Sequence, residues 1–133
     1  MEQIVRDEQV SMGLLWSGRA YNVLDQGTNL SISWDGAVYE PGQWFVVEGA
    51  KNPTAAWALI ESIAANPEGQ AKWATEMSYG ISNLQAFDYM DEAVAERLPD
   101  WPANYEQSIV PDFTWYAENR TEIEKRWTEF VSG

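Results

Sequence analysis

Aromatic side chains and a carboxylate near predicted turns are the groups of this chain best suited to bind a small molecule. Six such residues fall beside predicted strand ends and turns: Trp16, Trp34, Tyr39, Glu40, Trp44 and Tyr79. Aromatic faces cover methylene groups and attract cations, and a carboxylate pairs with an ammonium group. Ligand sites in α/β proteins favour the ends of strands. These residues therefore indicate a site for a small organic cation.

Catalysis is the less favoured interpretation of the polar residues. The chain has no histidine and no cysteine, which excludes disulfides, thiolate nucleophiles, the usual zinc clusters and triads that need imidazole. Glu40 and Asp112 could act as acid and base, as in a glycosidase, but no spacing singles them out. We expect no catalytic residue, no metal and no cofactor, and keep an acid/base glycosidase fragment as an alternative.

The charge balance narrows the range of partners. Asp and Glu number 21 against 8 Lys and Arg, a formal net charge of −13. Such a field repels phosphate backbones, so we expect no nucleic-acid partner, whereas it attracts cationic solutes and also favours solubility. No apolar run approaches the roughly 18 residues that span a bilayer, which predicts a soluble chain. The residues from Met1 to Gln9 lack the basic and apolar regions of a signal peptide.

The elements that would position these residues are short strands followed by helices. Strands are predicted at Val10–Trp16, Leu30–Trp34 and Trp44–Val47 from apolar runs and alternation. About five helices are predicted, at 18–26, 53 to about 63, 67–77, 91–98 and 112–131, and residues 2–9 are interpreted as the last turns of a further helix. The fold class is therefore α/β, and the start within a helix end suggests a piece of something larger.

Two further features of these elements are specific predictions. Asn52 and Asn66 each precede a proline, which predicts a capping side chain before the first helical residue. Trp57, Trp73 and Trp127 lie on helices at core spacing, and we interpret them as packing residues.

Four segments of the chain carry motifs in a fixed order. Val10–Tyr21 contains a W-S-G-R-A-Y turn, and Ile32–Pro53 ends in a G-A-K-N-P stretch. Met77–Asn83 contains a Y-G-I-S-N turn, and Asp112–Arg120 leads into Trp127. These segments resemble, in the same order, the W-(S/N)-G-x-x-Y turn, the G-A-K-N stretch, the Y-G-x-x-N turn and the closing helix in the C-terminal part of extracellular solute-binding proteins of the spermidine/putrescine group. The resemblance covers essentially all of the 133 residues.

The resemblance implies a fragment of a two-lobed periplasmic-binding-protein fold of type II, with few short strands and about five helices. Residues 1–35 would end one lobe, 36–44 would cross over, 45–80 would supply helices of the other lobe, and 81–133 would form a return segment and the C-terminal helix. It implies a non-enzymatic, periplasmic substrate-binding component of an ABC importer, which captures a small cationic solute such as a polyamine and works with a permease.

The resemblance also implies roles for the site residues. Trp16 matches the family's pocket tryptophan, with Ser17 beside it, and would otherwise be a core residue capping the sheet. Tyr79 would contact the ligand from its turn, and Glu40 would be the carboxylate, with Tyr39 beside it. For Trp34 and Trp44 the pattern favours a scaffold role over contact with the ligand.

Three alternatives stay open. Polyamine binders carry Trp-x-Asp where this sequence has Glu40-Pro41-Gly42, so a monoamine or an amino-acid-like cation would also fit. A carbohydrate-binding module would use exposed tryptophans to stack on sugars, although such modules are usually all-β. A homo-oligomer, with a swapped element replacing missing sheet partners, is expected for a chain of this length.

Overall fold

Helices joined by extended segments make up the structure. A computed structural model describes all residues, 1–133. The helices are α1 (Glu2–Arg6), α2 (Ser17–Asp25), α3 (Pro53–Ala64), α4 (Pro67–Met77), a 3₁₀ helix (Leu84–Tyr89), α5 (Glu92–Ala95), α6 (Pro102–Gln107) and α7 (Phe113–Ser132). None of them is long and apolar enough to cross a membrane.

The helices with strong start signals form where the sequence predicts them. α3 and α4 each begin with a proline, whose fixed φ suits the first turn. Asn66 caps α4 by accepting a hydrogen bond from the Gly69 N–H at 2.8 Å, as predicted. The Asn52 side chain makes no capping hydrogen bond, so that half of the prediction is wrong. α6 lies between the helical segments predicted at 91–98 and 112–131, where no element is predicted, and it too starts at a proline, Pro102.

The three predicted strands do not form. Residues 10–15 make no backbone hydrogen bond within the chain, and the segments at Leu30–Trp34 and Trp44–Val47 pair with no other segment. The β-pairing present is a single parallel bridge between Val38 and Ile109. Alternating apolar residues favour extended backbone, but a strand also needs a neighbouring backbone to pair with. No such neighbour lies within this chain.

A small core surrounds α4. It contains five buried residues, Ala71, Ala74, Ile81, Ala86 and Leu98, and Phe87 and Met90 pack against them. Gln70 fastens the segment after α4 to this core: its side-chain oxygen accepts the N–H of Ser82 at 2.9 Å and of Asn83 at 3.0 Å. Its amide nitrogen donates to the carbonyl oxygen of Ile63 at 2.8 Å. The buried Gln70 amide is thus paired at both its oxygen and its nitrogen, as burial requires.

Three tryptophans interpreted as packing residues are exposed instead. Trp57, Trp73 and Trp127 keep 56%, 48% and 63% of their surface in contact with solvent. The whole chain exposes 10357 Å² and buries 11 of 133 residues, whereas a compact monomer of this mass exposes about 7,100 Å². The helical spacing correctly marks an apolar face on these helices. On α3 and on α7, however, no residue is buried within the chain.

Candidate functional site

All seven predicted site residues border one broad, open groove, which is lined by 45 of the 133 residues. Its volume is about 2680 Å³, and it lies between the N-terminal third of the chain and the segment from α3 to Asp100. The seven are Trp16, Ser17, Trp34, Tyr39, Glu40, Trp44 and Tyr79. Pockets that enclose a small ligand usually measure about 300–1,000 Å³. The groove is therefore wide enough to admit a small solute without enclosing it.

Trp16 presents its ring beside a cation. It immediately precedes α2 with extended backbone, and 67% of its surface is exposed, so it does not occupy a core position. The guanidinium carbon of Arg19 lies 5.8 Å from the centre of the Trp16 ring. Arg19 also pairs with Glu2 at 2.5 Å, and this hydrogen bond lowers the pKa of the Glu2 carboxyl. An aromatic face and a guanidinium thus stand at the start of α2.

Tyr79 lies next to this turn, at the end of α4. Ser78 ends the helix in the left-handed conformation with φ 53°. The half-buried Tyr79 ring then stacks on Trp73, with the ring centres 5.9 Å apart and the planes 23° from parallel. A Cβ built on Gly18 would lie 2.6 Å from the Tyr79 ring. The structure therefore brings Tyr79 against the first turn of α2, which carries the half-buried Ser17.

Tyr39 and Glu40 differ in their surroundings. The Tyr39 N–H donates to the carbonyl oxygen of Ile109 at 2.9 Å, and its hydroxyl donates to Asp100. Its ring meets Tyr105 edge-on at 5.0 Å. Burial, and then the hydrogen bond to Asp100, raise the pKa of Tyr39. Glu40 is exposed and takes part in no ion pair of the chain.

Trp34 and Trp44 occupy the same groove with unequal burial. Trp34 is half-buried, whereas Trp44 exposes 69% of its surface from an extended segment. The assignment of Trp44 to scaffold has no packing contact to support it.

Arg19 and Asp100 are two of the five charged groove residues that the sequence did not mark as site residues, the others being Glu2, Glu8 and Asp35. Arg19 lies within the W-S-G-R-A-Y stretch, which is one of the motifs that carry the family resemblance. Asp100 carried no local signal, because its partners Tyr39 and Ile81 are distant in sequence. In total the groove is lined by one guanidinium, that of Arg19, and by five carboxylates, those of Glu2, Glu8, Asp35, Glu40 and Asp100. Such an acidic, aromatic lining suits a solute with positive charge.

Comparison with known proteins establishes the family. Residues 1–104 match the bacterial extracellular solute-binding proteins, and the chain belongs to this family. It is 28% identical over 123 residues to a gamma-aminobutyric acid-binding protein of Pseudomonas aeruginosa, covering 92% of this chain and 35% of that protein.

Solved structures agree with this assignment. The periplasmic binding protein AgtB from A. tumefaciens R10, in complex with agropinic acid, matches with a TM-score of 0.80 at 28% identity. That match covers 99% of this chain and 42% of the other. An ABC-transporter substrate-binding protein from Bradyrhizobium japonicum USDA 110 matches with a TM-score of 0.84 at 28% identity, covering 97% of this chain and 41% of the other.

These similarities confirm the periplasmic-binding-protein fold and the extracellular solute-binding family. The similar proteins are binding proteins rather than enzymes, in agreement with the expectation of a non-enzymatic chain. They do not support the spermidine/putrescine group in particular, since those that name a solute name gamma-aminobutyric acid or agropinic acid. The chain spans between 35% and 42% of the length of these relatives.

Proposed function

We propose that this chain captures a small solute carrying an ammonium group, as part of the substrate-binding component of an ABC importer. The observation that supports this is the lining of the groove, where aromatic rings stand among five carboxylates and one guanidinium. The four carboxylates other than Glu2 take part in no ion pair and favour a cation. The aromatic faces favour both the cation and its methylene groups. The relative that binds gamma-aminobutyric acid supports an amine as the solute class.

Polyamines and ω-amino acids are the two candidates within this class. A polyamine would use only the acidic and aromatic lining. An ω-amino acid also needs a cation for its carboxylate, and Arg19 is the guanidinium that lines the groove. Because Arg19 already pairs with Glu2, the solute carboxylate would have to replace that partner. The two candidates therefore differ in their dependence on Arg19.

The openness of the groove supports a two-lobed arrangement. We propose that residues 1–35 end one lobe, 36–44 cross over, 45–80 belong to the other lobe, and 81–133 return. In such an arrangement, closure around the solute would be the state that a permease recognises. The roughly 3,000 Å² of surface beyond that of a compact monomer exceeds what a standard interface buries. We therefore propose that this chain associates with itself in solution.

Tryptophan fluorescence tests the solute class directly. The 133-residue chain is titrated with putrescine, spermidine and gamma-aminobutyric acid, with glucose and succinate as controls. We expect saturable changes with the amines alone, and roughly millimolar affinity, since an open groove leaves much of the solute in water. A response to glucose or succinate equal to that of the amines, or no response to any amine, would contradict the proposal. Light scattering tests self-association, which a strictly monomeric mass would contradict.

A further inference from the structure

Residues 10–15 form an extended segment whose backbone is unpaired. None of their N–H or C=O groups makes a backbone hydrogen bond within the chain. Val10, Met12 and Leu14 recur at every second position, the spacing that places side chains on one face of a strand. These three residues expose 42%, 88% and 82% of their surface. The segment therefore has both the free backbone groups and the apolar face of a strand that lacks its neighbours.

Two more extended segments are unpaired in the same way. The backbones of residues 31–33 and 44–46 make no backbone hydrogen bond within the chain. Residues 10–15 and 31–33 border the groove, as does Trp44. The groove has a volume of about 2680 Å³, whereas pockets for small molecules usually measure about 300–1,000 Å³. The groove therefore has room for polypeptide in addition to a small solute.

The similar solved structures indicate which polypeptide fits these segments. The chain shares its conformation with AgtB and with the Bradyrhizobium japonicum protein over nearly its whole length, yet it covers only 42% and 41% of them. The three segments thus follow the course that they have in proteins with further polypeptide. A second copy fits less well, because two chains of formal charge −13 repel each other. Self-association needs no pairing here, since α3 and α7 expose apolar faces of their own.

We propose that residues 10–15, 31–33 and 44–46 accept β-strands from a separate polypeptide. That polypeptide is the part of a solute-binding protein of this family that the 133-residue chain does not span. Its strands pair with the free backbone groups and cover the face formed by Val10, Met12 and Leu14. Strand pairing needs no covalent link between the two polypeptides, so they assemble in trans. The strands predicted from the sequence form in this complex, because each then has a neighbouring backbone.

Complementation with part of a relative tests the proposal. The part of the Bradyrhizobium japonicum protein that this chain does not cover is diluted from urea together with the 133-residue chain. Analytical ultracentrifugation should show a complex of one copy of each, and circular dichroism should show additional β-structure. Hydrogen exchange should slow for the amides of residues 10–15 by at least about tenfold. The intact Bradyrhizobium japonicum protein is the control, and it should not bind, because it already contains both parts.

Gly13→Pro and Gly13→Ala provide a matched pair of variants. Both add a Cβ, whose nearest atom outside the adjacent residues is Sδ of Met1 at 3.8 Å, but only proline removes the backbone N–H. Gly13→Pro should weaken the complex about tenfold or more, whereas Gly13→Ala should bind nearly as the unmutated chain does. Urea unfolding of the chain alone should be the same for both variants, because residue 13 makes no backbone hydrogen bond in it.

Three results would overturn the proposal. They are the absence of a one-to-one complex, equal binding by Gly13→Pro and Gly13→Ala, and a complex in which residues 10–15 exchange as fast as in the free chain. Slow exchange of these amides in the chain alone would make a second copy the occupant, and would overturn the proposal as well.

Discussion

The backbone of Gly18 lies directly against the ring of Tyr79. A Cβ built on Gly18 would lie 2.6 Å from the ring and 2.3 Å from the carbonyl oxygen of Met77. Both distances are far below normal van der Waals contact, so any larger residue must displace the ring or the end of α4. The contact fixes the start of α2, with Trp16 and Ser17, relative to Tyr79. Two parts of the groove that are about sixty residues apart in the chain are thus joined through a glycine.

Replacing Gly18 by alanine should disturb both stability and the groove. Because the added methyl group meets backbone as well as a ring, we expect a loss of about 1–3 kcal/mol in the free energy of unfolding, the usual cost of overpacking. Urea unfolding followed by circular dichroism measures it. Gly42→Ala is the matched control, since nothing lies within 4 Å of its added Cβ, and it should stay within about 0.5 kcal/mol. Equal effects of the two substitutions would contradict the close contact.

Local signals predicted the helices better than the strands. Prolines and the capping Asn66 mark the starts of α3 and α4 within the chain itself, so their positions followed directly. The alternation at Leu30–Trp34 indicates extended backbone, but strand formation depends on a partner segment, which local sequence does not specify. The aromatic site residues were recognisable by type and motif. The position of Asp100 was not, because the hydroxyl that donates to it belongs to Tyr39, which is 61 residues away.

Truncating the buried Leu98 should destabilise the chain more than truncating the larger but exposed Trp127. Leu98 is completely buried, so Leu98→Ala should cost about 2–5 kcal/mol through lost contacts and the cavity that remains. Trp127 is larger but exposes 63% of its surface, and its ring neighbour is Phe130 at 5.9 Å on the same helix. Trp127→Ala should therefore cost less than about 1 kcal/mol in the monomer.

Urea unfolding at low micromolar concentration measures both variants in dilute solution. A cost for Trp127→Ala equal to that for Leu98→Ala would mean that the face of α7 is covered. If that cost grew with protein concentration, the cover would be a second copy of the chain, because association stabilises a folded state by mass action.

Arg97 should contribute more to stability than the helical surface pairs do. Its guanidinium lies 4.2 Å from the centre of the Tyr21 ring and donates to Asp25 at 2.6 Å, joining α2 to the end of α5. We expect Arg97→Ala to lower the free energy of unfolding by about 1–2 kcal/mol. Arg120→Ala is the control, because Arg120 forms an exposed pair with Glu124 on one helix, worth about 0.5 kcal/mol or less. Arg97→Lys should recover little of the loss, since ammonium lacks the planar face that stacks. Full recovery in this lysine variant would contradict stacking on Tyr21.

Ionisation of Tyr39 should make the free energy of unfolding depend on pH in the alkaline range. In an unfolded chain tyrosine ionises near pH 10, whereas burial and the Asp100 hydrogen bond raise the pKa of Tyr39 in the folded chain. Above about pH 10 the unfolded state therefore binds fewer protons than the folded state, and the free energy of unfolding decreases as pH rises. Below that pH the contribution is fully present.

Tyr39→Phe isolates this effect from the other titrating groups. The variant loses the hydroxyl hydrogen bond at every pH, so its curve should start lower and then decline less steeply above about pH 10. Tyr89→Phe is the control, since Tyr89 exposes 56% of its surface, and its curve should follow that of the unmutated chain. Tyr21, whose pKa burial also raises, is present in all three proteins and does not affect the comparison. Parallel curves for Tyr39→Phe and the unmutated chain would mean that the Tyr39 hydroxyl ionises with the same pKa in the folded and unfolded states, which would contradict its hydrogen bond to Asp100.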